Sequence, residues 1–167
     1  GEHLHQRRVT VHVGQVHGLP AATIRARSAE LLALMDLTSA SGQLVADYSH
    51  GMRKKTSLAA ALLPAPKLLF LDEPFEGIDA IASRQIKDLL LEYVKRGGTV
   101  FLTSHILELV ERLCDHIGVI HKGRLVAQGE IGALRAATAG SESLEAMFLR
   151  LVGATEGAAA HLDWLSG

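Results

Sequence analysis

Asp72 and Glu73 stand side by side at the end of the apolar run "LLFL", within "KLLFLDEPFEGIDA" (residues 67–80). Adjacent carboxylates at the end of a buried strand repel one another and lose hydration. Both charges suit a site where one carboxylate holds a divalent cation and the other polarises a water. Mg²⁺ is a hard ion that takes one or two carboxylates plus phosphate oxygens. A positioned base is worth about 10²–10⁴-fold in rate. Ser104 and His105 close the next apolar run, "TVFLTSH". An imidazole there can contact a γ-phosphate, which completes the layout of a nucleotide hydrolase. "DE" alone reads better as an acid pair capping the next helix. An apolar strand, then "DEP", "GID" and "TSH" on the following strand, favours chemistry.

The elements that must position these groups follow from the pattern of the chain. Residues 19–37 predict a helix, with Pro20 in its first turn and Ile24, Leu31, Leu34 and Met35 near one face. "TSASGQ" marks a loop. Ser49 is a good cap for a helix over Met52–Leu63. "PAPK" ends that helix, and "LLFL" is a fully apolar strand of the kind buried in a parallel sheet. Asp79 caps a helix to Arg96, with Ile81, Ile86, Leu89, Leu90 and Val94 as its apolar face and Gly97-Gly98 as its stop. "TVFLTSH" is the second strand, Ile106–Cys114 a helix, "HIGVIH" the third strand and "RLVAQG" the fourth, after a "KG" turn. Residues 130–137 and 141–151 predict helices; beyond them the chain is Ala/Gly-rich, with Leu162, Trp164 and Leu165 able to dock. Strands alternating with helices predict an α/β fold with a mostly parallel sheet. Such sheets bind ligands at the carboxyl ends of their strands.

The first 18 residues are atypical. Val9, Val11 and Val13 alternate with polar residues as in a short strand. His3, His5, His12 and His17 crowd the same stretch, but no Cys or carboxylate joins them at metal-ligand spacing, and solvated imidazoles are the expectation.

Bulk properties narrow the classes. The 167 residues suffice for one domain with a core, and 48% hydrophobic with 21% charged residues reads as globular. A net charge of −1 provides no basic field for nucleic acid. A single cysteine, Cys114, excludes a disulfide framework. The most apolar run is broken by Pro64, Pro66 and Lys67, so no transmembrane segment is expected.

With these motifs in view, the chain resembles the C-terminal part of an ATP-binding cassette (ABC) transporter nucleotide-binding domain, a partial P-loop-NTPase-type fold. "LLFLDEP" resembles the Walker B strand and its following glutamate, "FEGID" the D-loop, "LTSH" the switch-histidine strand and "YSHGM" the signature motif. The order and spacing of all four match over about residues 19–151. "YSHGMRKK" and "SLEAMFLRLVG" further resemble drug- or polyketide-exporting members. The resemblance implies four segments: an atypical 1–18, a helical-subdomain remnant with the signature over 19–63, a catalytic-core portion over 64–137, and a C-terminal helix and tail over 138–167. It implies ATP and Mg²⁺ as cofactors. Asp72 would hold Mg²⁺ through water, Glu73 would polarise the attacking water, and His105 would contact the γ-phosphate. The signature residues Ser49, His50, Gly51 and Met52 would meet nucleotide held by an opposite subunit, Ser49 and Gly51 binding its γ-phosphate. Asp79 would link the two sites across the dimer. The expected partners are a second nucleotide-binding domain and a transmembrane permease, with no nucleic acid. The expected location is cytoplasmic, on the inner face of the membrane.

His50 and Met52 depart from the family's usual Gly and Gln, and Ala80 from a common Pro. Lys54 and Lys55 are expected on a solvated helix face. No G-x-x-x-x-G-K-[ST] occurs in the 167 residues, nor can a base-stacking strand or a glutamine loop be placed. In the family these precede the point where this chain begins, so a fragment or an altered reading frame is expected. Two functional readings remain open: a partial ABC ATPase subunit, inactive alone, and a non-catalytic interaction or regulatory module derived from one. A DNA-repair or chromosome-type ATPase would need a long coiled-coil insertion before the signature, and no sustained heptads precede Tyr48.

Overall fold

A computed structural model describes residues 6–136 and 143–153. The expectations for His3, His5, Leu162, Trp164 and Leu165 therefore lie outside the described residues. The chain divides into two compact units between His105 and Ile106.

The first unit begins with a cluster of three helices, α1 (Gln6–Val16), α2 (Ala21–Leu34) and α3 (His50–Leu62). Ile24, Leu32, Met35, Leu37, Tyr48, Leu58 and Leu63 are buried apolar residues of this half. The strand expected over residues 9–13 is a helix instead. Its buried positions are Gln6, Thr10 and Gly14, spaced by four, so polar residues and a glycine face inward and the helical period carries no hydrophobic signal. Each has a reason to be there. Gln6 Nε2 donates to the Leu37 carbonyl at 3.0 Å. The Tyr48 hydroxyl lies 2.8 Å from Gln6 Oε1 and 2.9 Å from the Ala40 carbonyl, sharing its one proton between them. Thr10 returns its hydroxyl to the helix's own carbonyls at Arg7 and Gln6. A Cβ on Gly14 would stand 2.6 Å from Ile24 Cγ1 and 3.1 Å from Leu63 Cδ2, so only glycine lets the helices approach this closely.

Two 3-10 turns, Thr38–Ala40 and Val45–Asp47, carry the chain to α3. Strand β1 (Leu68–Asp72), helix α4 (Ala80–Lys95) and strand β2 (Thr99–Thr103) then form a parallel crossover unit. The strands pair in register, Leu68 opposite Thr99 and Asp72 opposite Thr103. On α4, Ala82, Ile86 and Leu90 are buried as one stripe. Ile81 and Val94, expected on that face, are exposed. So is one face of the two-stranded sheet: Leu68, Phe70 and Phe101 lie on the surface, with the two rings 5.6 Å apart.

In the second unit, α5 (Leu107–Leu113) packs with α7 (Leu144–Leu151), and α6 (Ile131–Ala136) packs with strand β4 (Arg124–Glu130). Strand β3 (His116–His121) pairs antiparallel with β4 around the Lys122-Gly123 turn, both of whose residues have positive φ. The third strand was expected to extend the parallel sheet. Its hydrogen-bonded partner is β4, because a two-residue turn permits only an antiparallel hairpin.

Candidate functional site

The apolar run of β1 ends with Asp72 on the carboxyl edge, and the parallel register sets Thr103 of β2 opposite it. The Thr103 hydroxyl donates to Asp72 Oδ1. One residue on, the Glu73 amide donates to the Thr103 carbonyl, with the Thr103 hydroxyl oxygen at the same 3.2 Å. Glu73 adopts φ +43°, an unusual conformation for a side-chain-bearing residue. Such backbone costs on the order of 1–3 kcal/mol and persists only where the surroundings hold it.

The Glu73 side chain turns to β2's end. His105 Nδ1 lies 3.0 Å from Glu73 Oε1. The hydrogen bond and negative charge of Glu73 raise the His105 pKa above its ordinary 6.5, with a smaller contribution from Glu76 and some opposition from desolvation. Glu73 Oε2 is buried and accepts no hydrogen bond. Asp72, Glu73 and His105, separated by up to 33 positions in sequence, thus share one rim of the β1–β2 pair.

The residues around the α3 start form a neighbouring cluster. Ser49 caps α3, its Oγ accepting from the Met52 amide at 3.2 Å. Asp79 caps α4, its Oδ1 accepting from the Ala82 amide at 2.8 Å. That bond, aided by the Ile81 amide and the Lys55 charge, holds the Asp79 carboxyl below its ordinary range. Gly51 is buried; a Cβ there would touch Ala82, Asp79 and Ile78 at 3.7–3.8 Å. The start of α3 therefore packs beside the start of α4. His50 is exposed, and its ring lies 3.3 Å from where a Cβ on Gly77 would be; Gly77 also needs its φ of +66°. Met52 is half-buried.

Sequence reasoning missed Thr103 and Lys54. Thr103 was legible only once the register put it opposite Asp72. Lys54, expected in solvent, donates to the carbonyls of Glu73 and, at 2.7 Å, Glu76. Lys54 is half-buried; Lys55 is buried and donates to Gln85 Oε1 at 3.0 Å. Neither lysine lies on a solvated face, because α4 and the turn after β1 cover that side of α3. Among the described residues no group of three His, Cys, Asp or Glu side chains converges on a metal position. None of the helices there is long and apolar enough to cross a membrane.

A family model described as "ABC transporter" matches residues 2–76, a stretch that takes in α1. The match takes in residues 2–18 of the segment expected to be atypical. The chain is 41% identical over 127 residues to the daunorubicin resistance ATP-binding protein DrrA3 of Streptomyces coeruleorubidus, covering 76% of this chain and 40% of the relative. It is 41% identical over 98 residues to a fluoroquinolones export ATP-binding protein of Mycobacterium tuberculosis, covering 59% and 33%. A solved ATP-binding subunit of an ABC transporter superposes with a TM-score of 0.83 at 29% identity, over 90% of this chain and 63% of that one. CbiO1 from Clostridium perfringens, part of the cbiONQ transporter complex, superposes with a TM-score of 0.59 at 30% identity, over 72% and 48%. The chain spans about 40% of the length of the daunorubicin relative. A parallel β1–β2 rim bearing Asp72, Glu73 and His105, beside a helix capped by Ser49, agrees with these likenesses: the chain's relatives are ATP-binding proteins of ABC transporters.

Proposed function

We propose that this chain supplies the hydrolytic rim and signature helix of an ABC ATPase that energises a membrane permease, of the drug-exporting type that its relatives' names indicate. The observation that carries the reading is the meeting of Glu73 and His105 at 3.0 Å beside Asp72 on one strand rim. Glu73 keeps one oxygen on the imidazole and the other without a hydrogen-bond partner. A carboxylate so held can orient a water and accept its proton, and His105 can donate to a γ-phosphate oxygen. Asp72 is exposed and has one oxygen engaged by Thr103, which suits a carboxylate that holds a cation through water. Mg²⁺ bound there would neutralise charge on the phosphates of ATP.

The signature helix would act on a second subunit. At the start of α3 the Ser49 hydroxyl oxygen takes the Met52 amide; the amides of His50 and Gly51, which precede the first intrahelical bond, would meet an anion, and the helix dipole adds roughly 0.3–1 kcal/mol. Ser49 and Gly51 would bind the γ-phosphate held opposite, with His50 and Met52 flanking it and Asp79 linking the two sites. The 167 residues hold no P-loop, so the chain alone is expected to hydrolyse ATP no faster than background. The same observation favours a second reading, an interaction module that completes or regulates another subunit without hydrolysis of its own. The location that follows is the cytoplasmic face of a membrane, through the permease.

Size-exclusion chromatography with an intact family ATPase tests the reading. With ATP the parent chain should form a heterodimer, and Ser49→Arg should not, because its side chain fills the phosphate position. Glu73→Gln should associate like the parent. A Ser49→Arg chain that associates equally well would reduce "YSHGM" to a capped helix.

A further inference from the structure

Arg53, Lys54 and Lys55 are consecutive cations on α3, and each reaches a different target. Arg53 donates to the Ala46 carbonyl at 3.5 Å and Lys55 to Gln85. Lys54 spends two of its three N–H donors on backbone carbonyls of the turn that follows β1. The carbonyls belong to Glu73 and Glu76, the first and last residues of that turn, whose own bond runs from the Glu76 amide to the Glu73 carbonyl at 3.2 Å. Lys54 thus spans both ends of the turn. The residue at its near end is the one with φ +43°, held at its amide by Thr103 and at its carboxylate by His105. The carbonyl is the third side of that hold.

We propose that Lys54 is a positioning residue that fixes the backbone of Glu73 from the signature helix, so that the start of α3 and the carboxylate on the rim move together. Ser49, the cap of α3, lies little more than one helical turn before Lys54. A displacement of the helix start is transmitted along a rigid helix to the ammonium, then to the Glu73 carbonyl. Rotation of that peptide re-aims the carboxylate against His105. Phosphate contact at one motif thereby sets the geometry of the other within a single chain. The functional weight of this link rests on the ATPase reading; the clamp itself does not.

The test needs no nucleotide. In ¹⁵N,¹³C-labelled parent chain at neutral pH, the Lys54 ammonium should give a persistent proton signal, while that of exposed Lys95 is lost to solvent exchange. Lys54→Met should displace the carbonyl ¹³C resonances of Glu73 and Glu76 and remove the positive-φ signature of Glu73. Lys54→Arg, which keeps paired donors, should restore both. A Lys54 ammonium that exchanges as fast as that of Lys95 overturns the proposal, as does a Lys54→Met chain with unmoved carbonyls. Should Lys54→Met fail to fold, the ammonium measurement on the parent decides alone. Loss of ATP-dependent association with the clamp signals intact would count against the ATPase reading and leave this one standing.

Discussion

Glu73 Oε1 and His105 Nδ1 meet at 3.0 Å across the carboxyl ends of two parallel strands, although 32 positions separate the residues in sequence. The imidazolium form is favoured by this contact, which is why the His105 pKa lies above 6.5. A histidine whose folded pKa exceeds its unfolded value stabilises the fold fully below about 6.5 and loses that contribution as pH rises through the folded value. An NMR titration of the His105 ring should therefore give a midpoint above 6.5, and Glu73→Gln should bring it down. A Glu73→Gln chain with an unchanged midpoint would show that the contact does not govern the imidazole.

Phe70 is 70% exposed and Phe101 59%, and both lie on a sheet face that no described helix of the first unit covers. Contiguous apolar surface of this kind promotes association, and a two-stranded sheet also offers open edges. The paired change Phe70→Ser and Phe101→Ser should raise the monomer fraction measured by light scattering. An unchanged mass distribution would place the association, if any, elsewhere on the chain.

Gly14→Ala should destabilise the three-helix cluster by about 1–3 kcal/mol, the usual cost of overpacking. The added methyl would stand 2.6 Å from Ile24 Cγ1 and 2.8 Å from its Cδ1. Ile24→Ala removes both atoms, so the double variant should be less destabilised than the two single changes summed. Urea unfolding of all four chains measures this. Strict additivity would mean that the helices move apart instead of clashing.

How much of this was legible in the sequence differs by element. Ser49 and Asp79 were legible as caps because the signal is local: an oxygen three residues before an amide that needs a partner. The strands "LLFL" and "TVFLT" were legible from apolar runs, and the rim followed from the rule that parallel strands present their carboxyl ends together. α1 was not legible, since Gln6, Thr10 and Gly14 face inward, and only the tertiary fold brings Leu37 and Tyr48 to Gln6 and sets Ile24 and Leu63 against Gly14. Lys54 and Lys55 look alike as neighbouring cations. Whether a lysine meets water, a carbonyl or Gln85 depends on which turn the chain lays across α3. Residue type and local spacing determined the elements after α1, the two caps and the family resemblance; the tertiary structure alone decided that Thr103 would hold Asp72, that His105 would reach Glu73 and that Lys54 would hold the Glu73 carbonyl. Those contacts join positions 19–32 residues apart, where no local periodicity carries a signal.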